Sequence, residues 1–243
     1  MLVWASGRPV RMPSRFAAAA LLLTGVVSSG SNSAAVSLAV GAATVLLLSV
    51  YRRSGGKATL ATLACIAAVG YLGLLSVGSI GQWAQGSSYG FLRDGVGRAA
   101  SSVWERSTLL NESLRLYRTG GILGEGPNST KDRLASEQAP YVKEAHDDYL
   151  GTLLERGALG ALGLILLYGA LFQRTVSSAS RPLQPRFAAA VPHPTALAGA
   201  LVGTLAGSAF IQLMHTRHVW ALFALVAAVS VWGHGSRSSE PER

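Results

Sequence analysis

Six apolar stretches, with arginines grouped in some of the connections between them, restrict the fold of this chain more than any other feature. They run roughly over Phe16 to Val27, Ala34 to Val50, Ala58 to Val77, Gly157 to Phe172, Thr195 to Leu213 and Val219 to Trp232. A soluble domain spreads charge over its whole surface, whereas here charge is confined to a few segments. The mean hydropathy is +0.34 and 49% of the 243 residues are hydrophobic, the profile of a multi-pass membrane protein. The expected fold class is all-α: a polytopic membrane helix bundle of about six transmembrane helices, with one long extracytoplasmic segment containing a surface helix. Several stretches are shorter than the about 20 residues a bilayer needs, so flanking small or polar residues must be recruited.

Basic residues orient the stretches. Arg8, Arg11 and Arg15 precede the first, Arg52, Arg53 and Lys57 follow the second, and Arg174, Arg181 and Arg186 follow the fourth. With the tail "HGSRSSEPER" they fall on one side if each stretch spans once, which makes both termini cytoplasmic in a cytoplasmic (inner) membrane. The first stretch, behind "MLVWASGRPVRMPSR", reads as a retained helix in preference to a secretory signal peptide. Four regions follow: residues 1–78 with three transmembrane helices, an extracytoplasmic loop over 79–153, three further helices over 154–233, and a cytoplasmic tail over 234–243.

The net charge of +9 is therefore a topology signal and not the mark of a nucleic-acid partner. Ten of the twelve acidic residues lie between Asp94 and Glu155, and the nine basic residues from Arg93 to Arg156 nearly balance them. Abundant alanine, glycine and arginine fit a GC-rich bacterial genome. The single cysteine, Cys65, allows no internal disulfide and no thiolate metal site.

Within the outer segment, "SSVWERSTLLNESLRLYR" has a helical period that places Val103, Leu109, Leu110, Leu114 and Tyr117 on one face. Its other face is charged, so the helix is expected along the membrane surface or on the bundle. "TGGILGEGPNST" then breaks the helix, and its Gly124 and Gly126 form either a plain loop or a turn whose amides face a phosphate. A polar stretch from Lys131 to Lys143, read as mobile, leads to "EAHDDYLGTLLERGALG". There Asp147 or Asp148 can cap the next helix. His146, beside Glu144 and the aspartates, has neighbours that raise its basicity and orient its ring, as a general base requires. Gly157, Gly160 and Gly163 are spaced for close helix packing in lipid.

The order "ERSTLLNESLRLYRTGGILGEGPNS" followed by "AHDDYLGTLLERGALGALGLILLYGALF" resembles the bacterial O-antigen ligase and O-antigen polymerase superfamily. The family pattern falls on Arg106, on Gly124 with Gly126, on His146, on Tyr149 with Leu150, and on Glu155, Gly157 and Gly160. "MHTRHVWALFAL" is similar to its last outer turn and helix, which adds Arg217. The family commonly has more membrane helices, so the likeness is to its C-terminal half. Asp147 stands where asparagine or serine is more usual, and Asn32 where an arginine often stands.

The resemblance implies transfer of a glycan from a polyprenyl pyrophosphate carrier to an acceptor hydroxyl, on a glycan or a lipid, at the outer face of the cytoplasmic membrane. His146 is the implied base, assisted by Glu144 or Asp147. Arg106, Arg217 and the turn at Gly124 and Gly126 are the implied pyrophosphate site, since guanidinium groups hold phosphate oxygens bidentately. The arginines neutralise the leaving group, so no cofactor and no metal is expected, with an Asp147, Asp148 and Glu144 magnesium site as the minor alternative. The implied partners are the carrier-linked glycan, its acceptor and membrane lipids. The rival reading is a non-catalytic protein in cell-surface polysaccharide assembly, or one half of a split enzyme with a separate N-terminal partner. A rhomboid-type protease, suggested by "AGSAF" and His215, lacks the G-x-S-G it needs.

Overall fold

The structure, a computed structural model, describes residues 12–29, 31–90, 93, 99–119, 122–139, 142 and 147–233. The side chains of residues 12–15, 27, 32, 74, 77, 78, 84, 99–106 and 119 lie outside that description. The elements are α1 (Met12–Ser29), α2 (Asn32–Gln85), α3 (Ala99–Thr119), α4 (Ser129–Ser136), α5 (Asp148–Ser180), α6 (Pro185–Ala190), α7 (Pro194–Gly207) and α8 (Arg217–Trp232). Among the described residues every regular element is a helix.

Serines punctuate the first connection. The Ser29 hydroxyl donates to the Val26 carbonyl at 2.8 Å, and Ser31 Oγ accepts from the Ala34 amide at 3.3 Å, opening α2. A loop was expected after Val50, but the arginine-rich connection stays helical apart from Gly55, whose φ of 75° and ψ of −172° break α2 in two. Each part exceeds the about 20 residues that cross a hydrocarbon core. The second part runs on to Gln85, past the expected end at Val77.

Two helical segments are long and apolar enough to cross a membrane, Ser33–Gly73 and Asp148–Ser180. The other apolar helices, Phe16–Val26, Pro194–Gly207 and Arg217–Trp232, are shorter, so six full spans are not delineated by length. The outward faces of the long helices are themselves apolar, with Leu60, Val69, Leu72, Leu159 and Ile165 all more than half exposed. Surfaces of that kind belong in lipid or against other helices.

The main core joins α5, α7 and α8 through Leu164, Tyr168, Leu171, Leu197, Leu201, Phe223 and Val226. Against it α2 packs at backbone distance. A Cβ on Gly41 would lie 2.7 Å from the Gly199 carbonyl oxygen, one on Gly199 2.6 Å from that of Gly41, and one on Gly203 2.4 Å from that of Ser37. This is the small-residue packing used by membrane helices, at glycines other than those the sequence suggested. Gly163 faces open space.

A second, smaller core holds the outer segment: Leu109 and Leu116 of α3, Leu134 of α4 and Leu154 of α5. The buried face of α3 therefore carries Leu109, Ser113 and Leu116, while Leu110, Leu114 and Tyr117 are exposed. The expected face was rotated, because leucines on both sides of the helix satisfy the same period. The stretch expected to be mobile contains α4, which Leu134, wholly buried, fastens to this core.

Candidate functional site

Three consecutive residues at the start of α5 fix the end of the bundle in three different ways. Asp147 is extended, at φ −144° and ψ 151°, and its carboxylate accepts from the Leu150 amide, capping the helix. Burial pushes its carboxyl above the ordinary carboxylate range; the Leu150 hydrogen bond opposes this and the Asp148 charge adds to it.

Asp148 is 4% exposed and reaches the turn between α7 and α8. Its Oδ2 accepts from the Leu213 amide at 2.9 Å and its Oδ1 from the Met214 amide at 3.2 Å. Its own amide donates to the Ser208 carbonyl at 2.8 Å. A buried carboxylate is tolerable when backbone donors satisfy it, so this clasp is structural. Tyr149 completes the set: its hydroxyl donates to the Leu205 carbonyl at 2.8 Å, and its ring meets Tyr168 edge-on with centroids 5.7 Å apart.

The clasp brings the turn before α8 to the start of α5. Trp220 holds the turn from the other side, donating from Nε1 to the Met214 carbonyl at 2.7 Å. Arg217 opens α8 at this end and is exposed. Thr152, Glu155 and Arg156 of α5 face Gln212, Met214 and His215 of the turn across a small cleft. Neither Arg156 nor Arg217 pairs with a carboxylate among the described residues, so this end has cationic groups available to an anion.

Sequence reasoning passed over Arg156 and Gln212 and weighed His215 only for a protease. The signal available for Arg156 was its place beside Glu155 in the "ERG" turn. His215 lies in the same "MHTRH" turn that supplied Arg217, and nothing local to the sequence pointed to Gln212.

The G-x-G turn seals the break in α5. Gly157 has φ 68° and ψ −167°, and Gly124 and Gly126 have φ of 78° and 97°, values that favour glycine. The amides of Glu125 and Gly126 donate to the carbonyls of Leu154 and Glu155 at 3.1 and 2.9 Å, and the Ala158 amide donates to the Ile122 carbonyl at 2.8 Å. The turn thus satisfies carbonyls that the broken helix would leave orphaned. The two amides that a phosphate-binding turn would offer are occupied in this arrangement.

Around the turn, Arg133 pairs with Glu125 and, at 3.2 Å, with Glu137, while Arg115 pairs with Glu137 at 2.6 Å and Glu112 at 2.8 Å. The hydrogen bond from Arg115 holds the Glu137 carboxyl below its ordinary range. These exposed pairs register α3, α4 and the turn more than they stabilise them.

Of the remaining expected residues, Arg106 has its backbone in α3, one turn before Leu109, and its side chain lies outside the described residues. Glu144 and His146 also lie outside them, so the expected base is placed only by its covalent link to the capping Asp147. The magnesium alternative loses Asp148, whose carboxylate oxygens are taken by backbone amides. No three His, Cys, Asp or Glu side chains converge among the described residues.

A family model described as O-antigen ligase matches residues 17–165. No curated protein and no solved structure matches the chain. The matched span runs from α1 past the Gly157 break, taking in Arg106, the G-x-G turn and His146, and stops short of Arg217. With more than half of its length matched and its long helices apolar enough for a bilayer, the chain is a membrane protein that belongs to the O-antigen ligase family, whose work is glycan processing at the membrane.

Proposed function

We propose that the chain transfers a glycan from a polyprenyl pyrophosphate carrier to an acceptor hydroxyl at the outer face of the cytoplasmic membrane. The observation that carries this reading is the family match across the helix-opening motif, supported by the Asp148 clasp that gathers Arg156, His215 and Arg217 at the same end. His146 takes the proton of the acceptor hydroxyl. The acceptor oxygen then bonds to the anomeric carbon as the bond from that carbon to the pyrophosphate oxygen breaks. The departing pyrophosphate carries away the electron pair, and Arg106, Arg217 and Arg156 balance its charge. Gly124 and Gly126 act through the fold, by seating the start of the membrane helix.

Support for the orientation comes from charge. Arg52 and Arg53 adjoin the end of the first part of α2, at the Gly55 break, and Arg181 the end of α5, both away from the clasp, as the positive-inside rule requires if the clasp faces outward. In cells lacking their own copy, His146→Ala and Arg106→Ala should insert normally yet abolish surface glycan. Normal glycan in both variants would overturn the reading.

A second reading has its own support. The exposed apolar second half of α2, with Leu60, Val69, Tyr71, Leu72 and Leu75, offers a surface to helices of a separate N-terminal partner. Activity that requires a co-expressed upstream chain would favour it.

A further inference from the structure

The register of α2 on α7 leads to a second site, at the other end of the pair. Ser37 lies against Gly203 and Gly207, Gly41 against Gly199 and Gly203, and Val45 against Gly199. Numbers rise along α2 as they fall along α7, so the helices are antiparallel, and backbone contact through glycine holds them rigidly. Followed further, this pairing brings the end of the first part of α2 to the N-terminus of α7. There Ser49, Arg52 and Arg53 of α2, His193 just ahead of α7 and Thr195 of α7 line a cavity of about 360 Å³, within the range of small-ligand sites, about 300–1,000 Å³.

Every side chain lining this cavity is either positive or able to donate a hydrogen bond. The N-terminus of α7 has no side-chain cap, so no side chain offsets its positive dipole end. Neither arginine has an ion-pair partner among the described residues. No counter-charge is at hand in the flanking sequence, because the chain has no acidic residue before Asp94 or between Arg156 and Ser239. Two guanidinium groups gathered at a helix N-terminus with no carboxylate partner among the described residues call for an external anion, and their fork geometry matches phosphate oxygens.

We infer that the cavity formed by Ser49, Arg52, Arg53, His193 and Thr195 binds a phosphate group, remote from the clasp at Asp148 and independent of glycan transfer. The site sits at the end of a membrane helix pair, where an anionic phospholipid headgroup and a soluble phosphate both have access.

The test uses the full chain in lipid nanodiscs. Unfolding temperature is compared in pure phosphatidylcholine, in phosphatidylcholine with phosphatidylglycerol, and in pure phosphatidylcholine with added inorganic phosphate. The wild type should be stabilised by phosphatidylglycerol if the ligand is a headgroup, or by inorganic phosphate if it is soluble. Arg52→Gln with Arg53→Gln should lose most of that shift, and Arg181→Gln with Arg186→Gln, which removes equal charge elsewhere, should keep it. The inference is overturned if neither anion stabilises the wild type, or if both double variants lose the shift equally.

Discussion

Asp147 and Asp148 are chemically identical neighbours with separate tasks. The capping role of Asp147 was legible in the sequence, because an aspartate just ahead of an apolar run is a local signal. The clasp of Asp148 was not, since its acceptor atoms meet amides 65 and 66 residues further along. Asp148→Ala leaves those amides without acceptors, at about 1–3 kcal/mol for each one buried. Thermal unfolding in detergent should show a clear loss, larger than for Asp147→Ala, which forfeits a cap worth about 1 kcal/mol. Asp147 also yields a pH signature. Its carboxyl is raised by burial, so the folded chain holds that proton more tightly than the unfolded one. The stabilising contribution is present below the ordinary value of 3.8 and is lost as pH rises through the folded value. Asp147→Asn keeps the cap without the charge, so it should be more stable than wild type at pH 7, with the gap closing as pH falls toward 4. A gap independent of pH would contradict the burial effect.

Among elements, the apolar stretches located the helices, and glycine chemistry explains where the reading and the structure diverge. At Gly157 the sequence suggested lipid-phase helix packing, yet the residue turns a helix, and a Cβ there would lie 2.3 Å from the Ile122 carbonyl oxygen. Gly157→Ala and Gly124→Ala combine that overlap with positive φ, so each should destabilise by about 2 kcal/mol or more. Gly163→Ala, with open space around it, should be neutral or slightly stabilising. Limited proteolysis of the outer segment distinguishes these outcomes. The glycines that do bring helices together, Gly41 on α2 and Gly199 and Gly203 on α7, come from distant stretches, and only the fold reveals them as partners. Gly41→Leu should separate α2 from α7 and lower the yield of folded protein. The short helix α4 escaped detection because only Leu134 and Thr130 of its eight residues are buried, too few to show a period.

For the whole molecule, hydropathy and the placement of arginine conveyed an all-helical membrane protein, and the family was legible because the pieces of its motif keep a fixed order along the sequence. The candidate site was less so, since it is assembled from the start of α5 and a turn near residue 213. The orientation can be tested by cysteine labelling in a Cys65→Ala background. Lys57→Cys and Ser136→Cys should differ in sealed right-side-out vesicles, with only the second reacting with an impermeant maleimide; equal reaction of both would refute the topology. Purified chain in proteoliposomes, supplied with a polyprenyl-pyrophosphate-linked glycan and an acceptor bearing free hydroxyls, should transfer the glycan and release polyprenyl pyrophosphate, and His146→Ala should abolish both. Transfer that persists at wild-type rate in His146→Ala, or carrier that is neither bound nor consumed by the wild type alone or with an upstream partner, would contradict it.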